Sequence, residues 1–217
     1  MKVFTVTGTS GSGKTTTIER LIAELKGRGY RVGSVKEIHY EAFAMDTPAS
    51  NTHRHRRAGA DLVAARGYHE TDLLYPEKLP MKEVLRHYKA YDWVVLEGVE
   101  DLPVPAVICT EDKRGRCSVC AAGKAFAGMR AHDGLPCFNA LEDAAALCDF
   151  LESRVPDYLE CYDPDDPDPG VEITLAVDGK PLRMVPFVQK ILRNAVLGVV
   201  RELEGYEEGR EVTIKLK

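Results

Sequence analysis

The sequence predicts an α/β protein with a doubly wound, mostly parallel sheet, followed by a small α+β module. Strand-like and helix-like segments alternate through residues 1–162, the pattern of a parallel sheet covered by helices. Residues 163–170 are acidic and rich in proline, which is typical of an extended linker. Beyond that linker, residues 171–217 carry a separate strand, strand, helix and strand pattern. We therefore predict a main domain over 1–162 and a smaller module over 171–217.

The first predicted unit is a strand, a helix and a second strand. Val3–Thr7 is short and mostly apolar, as a buried strand is, and Val32–Lys36 returns as the second strand. Between them, Thr15–Lys26 carries apolar residues at i, i+3, i+4 and i+7, which predicts one buried helical face. Those residues are Ile18, Leu21, Ile22 and Leu25.

The remaining elements follow from the same periodicities. The predicted helices of the main domain are Ala58–Arg66, Met81–Lys89 and Leu141–Leu151. Its further strand-like segments are Thr71–Tyr75, Trp93–Leu96 and Val104–Cys109. The module is predicted as strands Val171–Ala176 and Leu182–Val185 across a turn at Asp178–Gly179, then helix Phe187–Leu203 and strand Val212–Leu216.

Composition limits the classes of function. A formal net charge of −5 argues against non-specific binding of nucleic acid by the whole chain. No basic and apolar leader opens the chain and no apolar run is long enough for a bilayer, so we expect a cytoplasmic protein without a membrane partner. Its six cysteines are then more typical of reduced thiols or metal ligands than of disulfides.

The strongest motif runs from Gly8 to Thr15, which has the spacing G-x-x-x-x-G-K-[ST] between the first strand and the first helix. Glycines let successive N–H groups converge on phosphate oxygens, and the helix N-terminus adds positive charge. Lys14 would reach the β- and γ-phosphates, and the Thr15 hydroxyl would hold Mg²⁺. We predict a P-loop NTPase fold whose nucleotide contacts are Gly8, Thr9, Ser10, Gly11, Ser12, Gly13, Lys14, Thr15 and Thr16.

Two acidic residues are candidates for the metal site. Glu97 ends the predicted strand Trp93–Leu96, and ligands of parallel sheets collect at the carboxyl ends of strands. There it could reach Mg²⁺ or the attacking water, or it could be a surface residue in a turn. Asp46 follows the second strand, before Thr47-Pro48, and could either contact the metal or cap a helix.

A basic run and a pair of cysteines complete the candidates. The run includes Arg54, His55, Arg56 and Arg57, and so much positive charge beside a nucleotide loop suggests an anion site for a phosphorylated partner. A solvated helix face is the alternative. Cys117-Ser118-Val119-Cys120 has metal-ligand spacing, with further thiols at Cys109 and Cys137. One C-x-x-C without a second pair is weak evidence, so buried thiols remain the simpler interpretation.

Taken together, these segments resemble the MobB family, the GTP-binding adaptors of molybdopterin guanine dinucleotide biosynthesis. The resemblance covers residues 1 to about 160. It is carried by the loop Gly8–Thr15 and by Val32–Lys36, Asp46–Pro48, Thr52–Ala60 and Leu96–Gly98. The chain departs from the family where Ala49-Ser50-Asn51 replaces Gly-Lys-Asp and Val99-Glu100 replaces Phe-Lys. The C-terminal module resembles extensions of archaeal members.

The resemblance implies a P-loop GTPase fold, weak Mg²⁺-dependent GTP hydrolysis and a homodimer. It implies a partner, the guanylyltransferase that attaches the guanine nucleotide to molybdopterin, in a pathway for a molybdenum or tungsten cofactor. By position, Gly8–Thr15 would hold GTP, with Lys14 and Glu97 serving hydrolysis and Thr15, Asp46 and Glu97 near the metal. The basic run would approach a phosphate or the pterin of molybdopterin or its guanine dinucleotide.

Two other functions fit the same residues. Arg54, Arg56 and Arg57 could form the lid of a small-molecule kinase. The cysteines could instead carry a metal or a cluster, with the nucleotide as the switch. The choice between GTP and ATP also stays open, because Thr110–Lys113 only loosely matches the N/T-K-x-D pattern that reads guanine.

Overall fold

The structure is a computed structural model that describes residues 1–115, 117–158, 173, 175–177, 180–182 and 186–203. The chain divides into two compact units, Met1–Pro156 and Asp157–Lys217. No helix in the described part of the chain combines the length and the apolarity needed to cross a bilayer.

The first unit contains nine strands and four α-helices within its described residues. Its strands are β1 (Lys2–Thr7), β2 (Val32–Lys36), β3 (Val63–Arg66), β4 (Thr71–Leu74), β5 (Trp93–Glu97), β6 (Ala106–Ile108), β7 (Ser118–Ala122), β8 (Ala131–His132) and β9 (Leu135–Phe138). Its helices are α1 (Lys14–Gly27), α2 (Asn51–Arg57), α3 (Met81–Arg86) and α4 (Ala144–Arg154).

Seven of these strands form one sheet in the order β2-β5-β1-β6-β7-β9-β8. Every neighbouring pair is parallel except β8 and β9, which form an antiparallel edge. The predicted mostly parallel sheet is thus confirmed. Because parallel strands end at one edge, the loops after β1, β2, β5, β6 and β7 meet there.

One face of this sheet is covered by α1 and α4, which supply the main core. Phe4 and Trp93 from neighbouring strands meet edge to face, with ring centroids 5.9 Å apart. Leu21 of α1 and Leu147 of α4 are fully buried in the same cluster. The apolar face that helical periodicity predicted for α1 is therefore buried in the structure.

The prediction of a helix over Ala58–Arg66 is wrong. The helix lies earlier, at α2, and ends at Arg57, because Gly59 takes φ 102° and its N–H donates to the Arg56 carbonyl. The chain then forms β3, which pairs antiparallel with β4 across the register Val63↔Leu74. The basic run accordingly lies in the last turn of α2 and does not begin a longer helix.

Some other observed boundaries differ from the predicted ones for local reasons, and three strands were not predicted at all. The helix predicted to begin at Leu141 begins at Ala144, because Asp143 caps it by accepting from the Ala146 N–H. Strands β7, β8 and β9 lie in a stretch without clear alternation. They form by pairing with strands already in the sheet, which sequence periodicity does not report.

The second unit shows an antiparallel pair followed by a helix. Strands β10 (Leu175–Val177) and β11 (Lys180–Leu182) pair across the register Leu175↔Leu182, and helix α5 spans Pro186–Val200. Each of these elements overlaps one that the sequence predicts, within the residues that the structure describes. The predicted linker 163–170, the turn residues 178–179 and the closing strand 212–216 lie outside the described residues.

Candidate nucleotide and metal site

The loop between β1 and α1 has the backbone shape that a phosphate cradle needs. Gly8 adopts φ 157°, and a Cβ there would lie 2.6 Å from Ser12 Oγ and 2.9 Å from Cys109 Cβ. Gly13 adopts φ 100°, in the left-handed region that favours glycine. A side chain at Gly8 would therefore push the loop apart, and one at Gly13 would strain it.

The first turn of α1 is open to an anion. Its N-cap residue, Gly13, forms no side-chain capping hydrogen bond, and the turn contains no acidic residue. The free N–H groups and the helix dipole thus leave positive potential at the end of the loop. Phosphate is one of the anions that such a helix N-terminus binds.

Lys14 holds its charge over the loop. Its Nζ donates to the carbonyls of Gly8, at 2.8 Å, and of Thr9, at 2.7 Å. An ammonium carries three donors and a flexible stem, so these contacts can be exchanged for phosphate oxygens without any change in the backbone. The structure therefore brings Lys14 and the loop together, as the motif predicts.

Two neighbouring loops hold the phosphate loop in place at the same edge of the sheet. The Thr9 N–H donates to Thr110 Oγ1 at 3.4 Å, and the Lys124 N–H donates to the Ser12 carbonyl at 3.3 Å. Thr110 follows β6, and Lys124 opens a short 3-10 helix, Lys124–Phe126, after β7. The contribution of Lys124 was missed, because β7 itself was not predicted.

Glu97 is the centre of the candidate metal site. It ends β5, pairs in register with Val6 of β1 and Lys36 of β2, and is 9% exposed. The Thr15 hydroxyl donates to Glu97 Oε1 at 3.0 Å. Glu97 is thus a buried partner of the phosphate loop. It is not the surface residue in a turn that the sequence left as the alternative.

Lys36 is the residue that sequence reasoning missed at this site. Its Nζ donates to Glu97 Oε1 at 2.5 Å, the same oxygen that accepts from Thr15. The sequence could have predicted that Lys36 lies near Glu97. Both residues end predicted strands, and parallel strands end at one edge of the sheet. Hydroxyl and carboxylate oxygens are ligands that Mg²⁺ prefers, so Thr15 and Glu97 fit that ion.

Asp46 has its hydrogen bonds within its own loop and the start of α2. Its Oδ1 accepts from Ser50 Oγ at 2.7 Å and from Thr52 Oγ1 at 2.8 Å, and Ser50 in turn caps α2 by accepting from the His53 N–H. These hydroxyls, Ser50 foremost, hold the pKa of Asp46 below its ordinary value. Within the described residues Asp46 forms no hydrogen bond with Thr15 or Glu97, so it braces the cap.

The four basic candidates on α2 divide into two groups. Arg56 is half-buried, and its Nη1 lies 3.9 Å from Asp46 Oδ2. Arg54, His55 and Arg57 are exposed. Cations in the last turn of a helix also complement its dipole, so their position is favourable with or without a ligand.

The cysteines were the other candidate metal ligands, and among the described residues no group of three or more His, Cys, Asp or Glu side chains is placed to hold a metal ion. Cys109 and Cys120 are buried and Cys117 is exposed. Burial raises the pKa of Cys109 to about 11 and also raises that of Cys120. Protonated thiols are poor ligands, so their burial favours the interpretation as core thiols.

Comparison with known proteins identifies the family of this chain. Residues 3–126 match the family model of MobB, "Molybdopterin guanine dinucleotide synthesis protein B". A probable molybdopterin-guanine dinucleotide biosynthesis adapter protein of Bacillus subtilis is 27% identical over 162 residues, covering 70% of this chain and 92% of the relative. A putative adapter of Methanocaldococcus jannaschii is 24% identical and covers 100% of this chain and 97% of the relative.

The fold agrees as well. The crystal structure of Bacillus subtilis MobB matches with a TM-score of 0.56 and 26% identity, covering 72% of this chain and 99% of that one. The family has the nucleotide-binding P-loop architecture seen in β1, α1 and the loop between them. This chain belongs to the MobB family of molybdopterin guanine dinucleotide synthesis proteins.

Proposed function

We propose that the protein is a Mg²⁺-dependent GTP-binding adaptor that assists the formation or delivery of molybdopterin guanine dinucleotide. The single observation that supports this best is the hydrogen bond of 3.0 Å between Thr15 and Glu97. It joins the last residue of the phosphate loop to a buried carboxylate on a neighbouring strand. Nucleotide-hydrolysing P-loop proteins need this pair to hold the metal beside the phosphates.

In this proposal each residue of the site has a chemical task. The N–H groups of residues 8–16 bind phosphate oxygens, and Lys14 neutralises the β- and γ-phosphates. Thr15 and Glu97 would hold Mg²⁺, which would neutralise charge on the phosphates. Alternatively, Glu97 would orient the attacking water. Asp46 would approach the metal through its second oxygen, Oδ2, which is buried without a hydrogen-bond partner among the described residues.

The adaptor part of the proposal rests on the relatives and on the surface of α2. The relatives are named as adapter proteins. We infer that this protein acts by nucleotide-dependent association with a second protein. Here the second protein would be the guanylyltransferase, and the adaptor would act as a homodimer with slow GTP hydrolysis. Arg54, His55 and Arg57 would bind a phosphate of molybdopterin or its dinucleotide. The exposed guanidinium groups of Arg54 and Arg57 would form paired hydrogen bonds to that phosphate, and the His55 imidazole would donate a further one.

Calorimetry with GTP and with ATP, each with Mg²⁺, tests the proposal. We expect GTP to bind more tightly than ATP, and slow release of phosphate without a phosphorylated acceptor. Transfer of the γ-phosphate to a small-molecule acceptor would favour a kinase and contradict the adaptor function. Failure of the purified protein to bind either nucleotide would refute the assignment of the loop.

A further inference from the structure

One carboxylate oxygen at the candidate metal site serves two donors. Glu97 Oε1 accepts from the Lys36 ammonium at 2.5 Å and from the Thr15 hydroxyl at 3.0 Å. The Glu97 side chain is 11% exposed, whereas that of Lys36 is 59% exposed. The Glu97 carboxylate is therefore buried in the site, whereas the Lys36 side chain that neutralises it is largely exposed to solvent.

A metal ion bound by Thr15 and Glu97 would share the Glu97 carboxylate with Lys36. A divalent cation and an ammonium about 4 Å apart repel each other strongly at the effective dielectric of a protein surface. The two cations therefore exclude each other, unless additional negative charge enters the site. The phosphates of a nucleotide in the adjacent loop would supply that charge.

Lys36 can leave Glu97 at little cost. It ends β2, one of the two edge strands of the sheet, and its side chain is a flexible chain of four methylene groups. An ion pair that is exposed on one side contributes little to stability, so breaking it costs less than the gain from a charged contact with phosphate.

We propose that Lys36 competes with the metal for Glu97 and yields only when nucleotide phosphates accept its ammonium. Lys36 is then a positioning residue that makes binding of metal and nucleotide mutually dependent. This inference rests on the proposed nucleotide function, and it adds a residue and a reason for coupling that the loop motif does not contain.

Manganese binding without nucleotide tests the competition directly. Free Mn²⁺ is followed by electron paramagnetic resonance as each variant is titrated. Lys36→Gln is expected to bind Mn²⁺ at least roughly ten-fold more tightly than the parent, because the competing ammonium is gone. Lys36→Arg, which keeps the charge, should stay close to the parent. The gain must disappear in the double variant Lys36→Gln with Glu97→Gln.

Lys78→Gln is the matched control. Lys78 Nζ lies 2.6 Å from Glu37 Oε1, so this change removes the same charge from an ion pair that does not include the Glu97 carboxylate. The control should bind Mn²⁺ like the parent. An equal gain in Lys78→Gln, or none in Lys36→Gln, would overturn the inference.

The coupling between ligands gives a second measurement. The factor by which Mg²⁺ raises GTP affinity must equal the factor by which GTP raises Mg²⁺ affinity. We expect this factor to fall at least roughly ten-fold in Lys36→Gln, since the metal no longer needs the nucleotide to displace a cation. If the factor is unchanged in a variant that still binds GTP, only the inferred role of Lys36 is refuted, and the proposed function is not. A parent protein that binds no nucleotide refutes the proposed function instead.

Discussion

Lys14→Ala is expected to remove most of the GTP affinity while leaving the fold nearly as stable. The Lys14 ammonium donates at once to the carbonyls of Gly8 and Thr9, at 2.8 and 2.7 Å. It can therefore form two hydrogen bonds in this loop, and each bond to a charged partner contributes about 1.5–3 kcal/mol. Two such bonds to phosphate correspond to a loss of at least about a hundred-fold in affinity. Folding loses far less, because Lys14 is only half-buried and water can satisfy both carbonyls.

Calorimetry with GTP and Mg²⁺ measures the affinity, and urea unfolding measures the stability. Lys26→Ala is the control, since Lys26 lies exposed in the last turn of the same helix and carries the same charge. The control should bind GTP like the parent. If Lys14→Ala bound GTP within about three-fold of the parent, the loop would not be the nucleotide site.

Three further perturbations test other parts of the molecule. Glu97→Gln should lower the rate of GTP hydrolysis more than it lowers GTP affinity, and unchanged turnover in a phosphate-release assay would return Glu97 to a structural role. Arg54→Lys and Arg57→Lys should each weaken molybdopterin binding roughly ten-fold in a fluorescence titration while GTP affinity stays constant, because lysine lacks the two-pronged hydrogen bond. Equal losses for both ligands would place these arginines at the nucleotide. Ala49 lies at φ 70°, so Ala49→Gly should raise the melting temperature by about 2–4 °C, and a decrease would mean that the strain is absent.

Patterns within one short stretch were sufficient for the first strand, the first helix and the second strand of the fold. The spacing of Gly8–Thr15, the strand before it and the periodic helix after it are local, and the structure reproduces all three. Val32–Lys36 was predicted with its observed boundaries. Such features depend on the backbone geometry of glycine and on which side chains share a face, and neither requires knowledge of the rest of the chain.

The prediction failed where pairing between distant segments decided the structure. Residues 63–66 follow a helix closely enough to look like its continuation, but the pairing of β3 with β4 draws them into a hairpin. The alternation of apolar and polar residues in β7 to β9 is weak. These strands form because β6 offers an edge with which β7 pairs, and β7 in turn pairs with β9. Pairing energy outweighs local propensity in such segments.

The sequence by itself determined that this protein has a phosphate loop, a mostly parallel sheet and an acidic strand end beside the loop. Only the tertiary structure decided which side chains share that edge. Lys36 and Glu97 are 61 residues apart, yet the register of β2 with β5 brings an ammonium and a carboxylate into contact. Asp46, by contrast, accepts its hydrogen bonds from Ser50 and Thr52. The physical reason is that strand register, which sets these contacts, depends on the packing of the whole sheet.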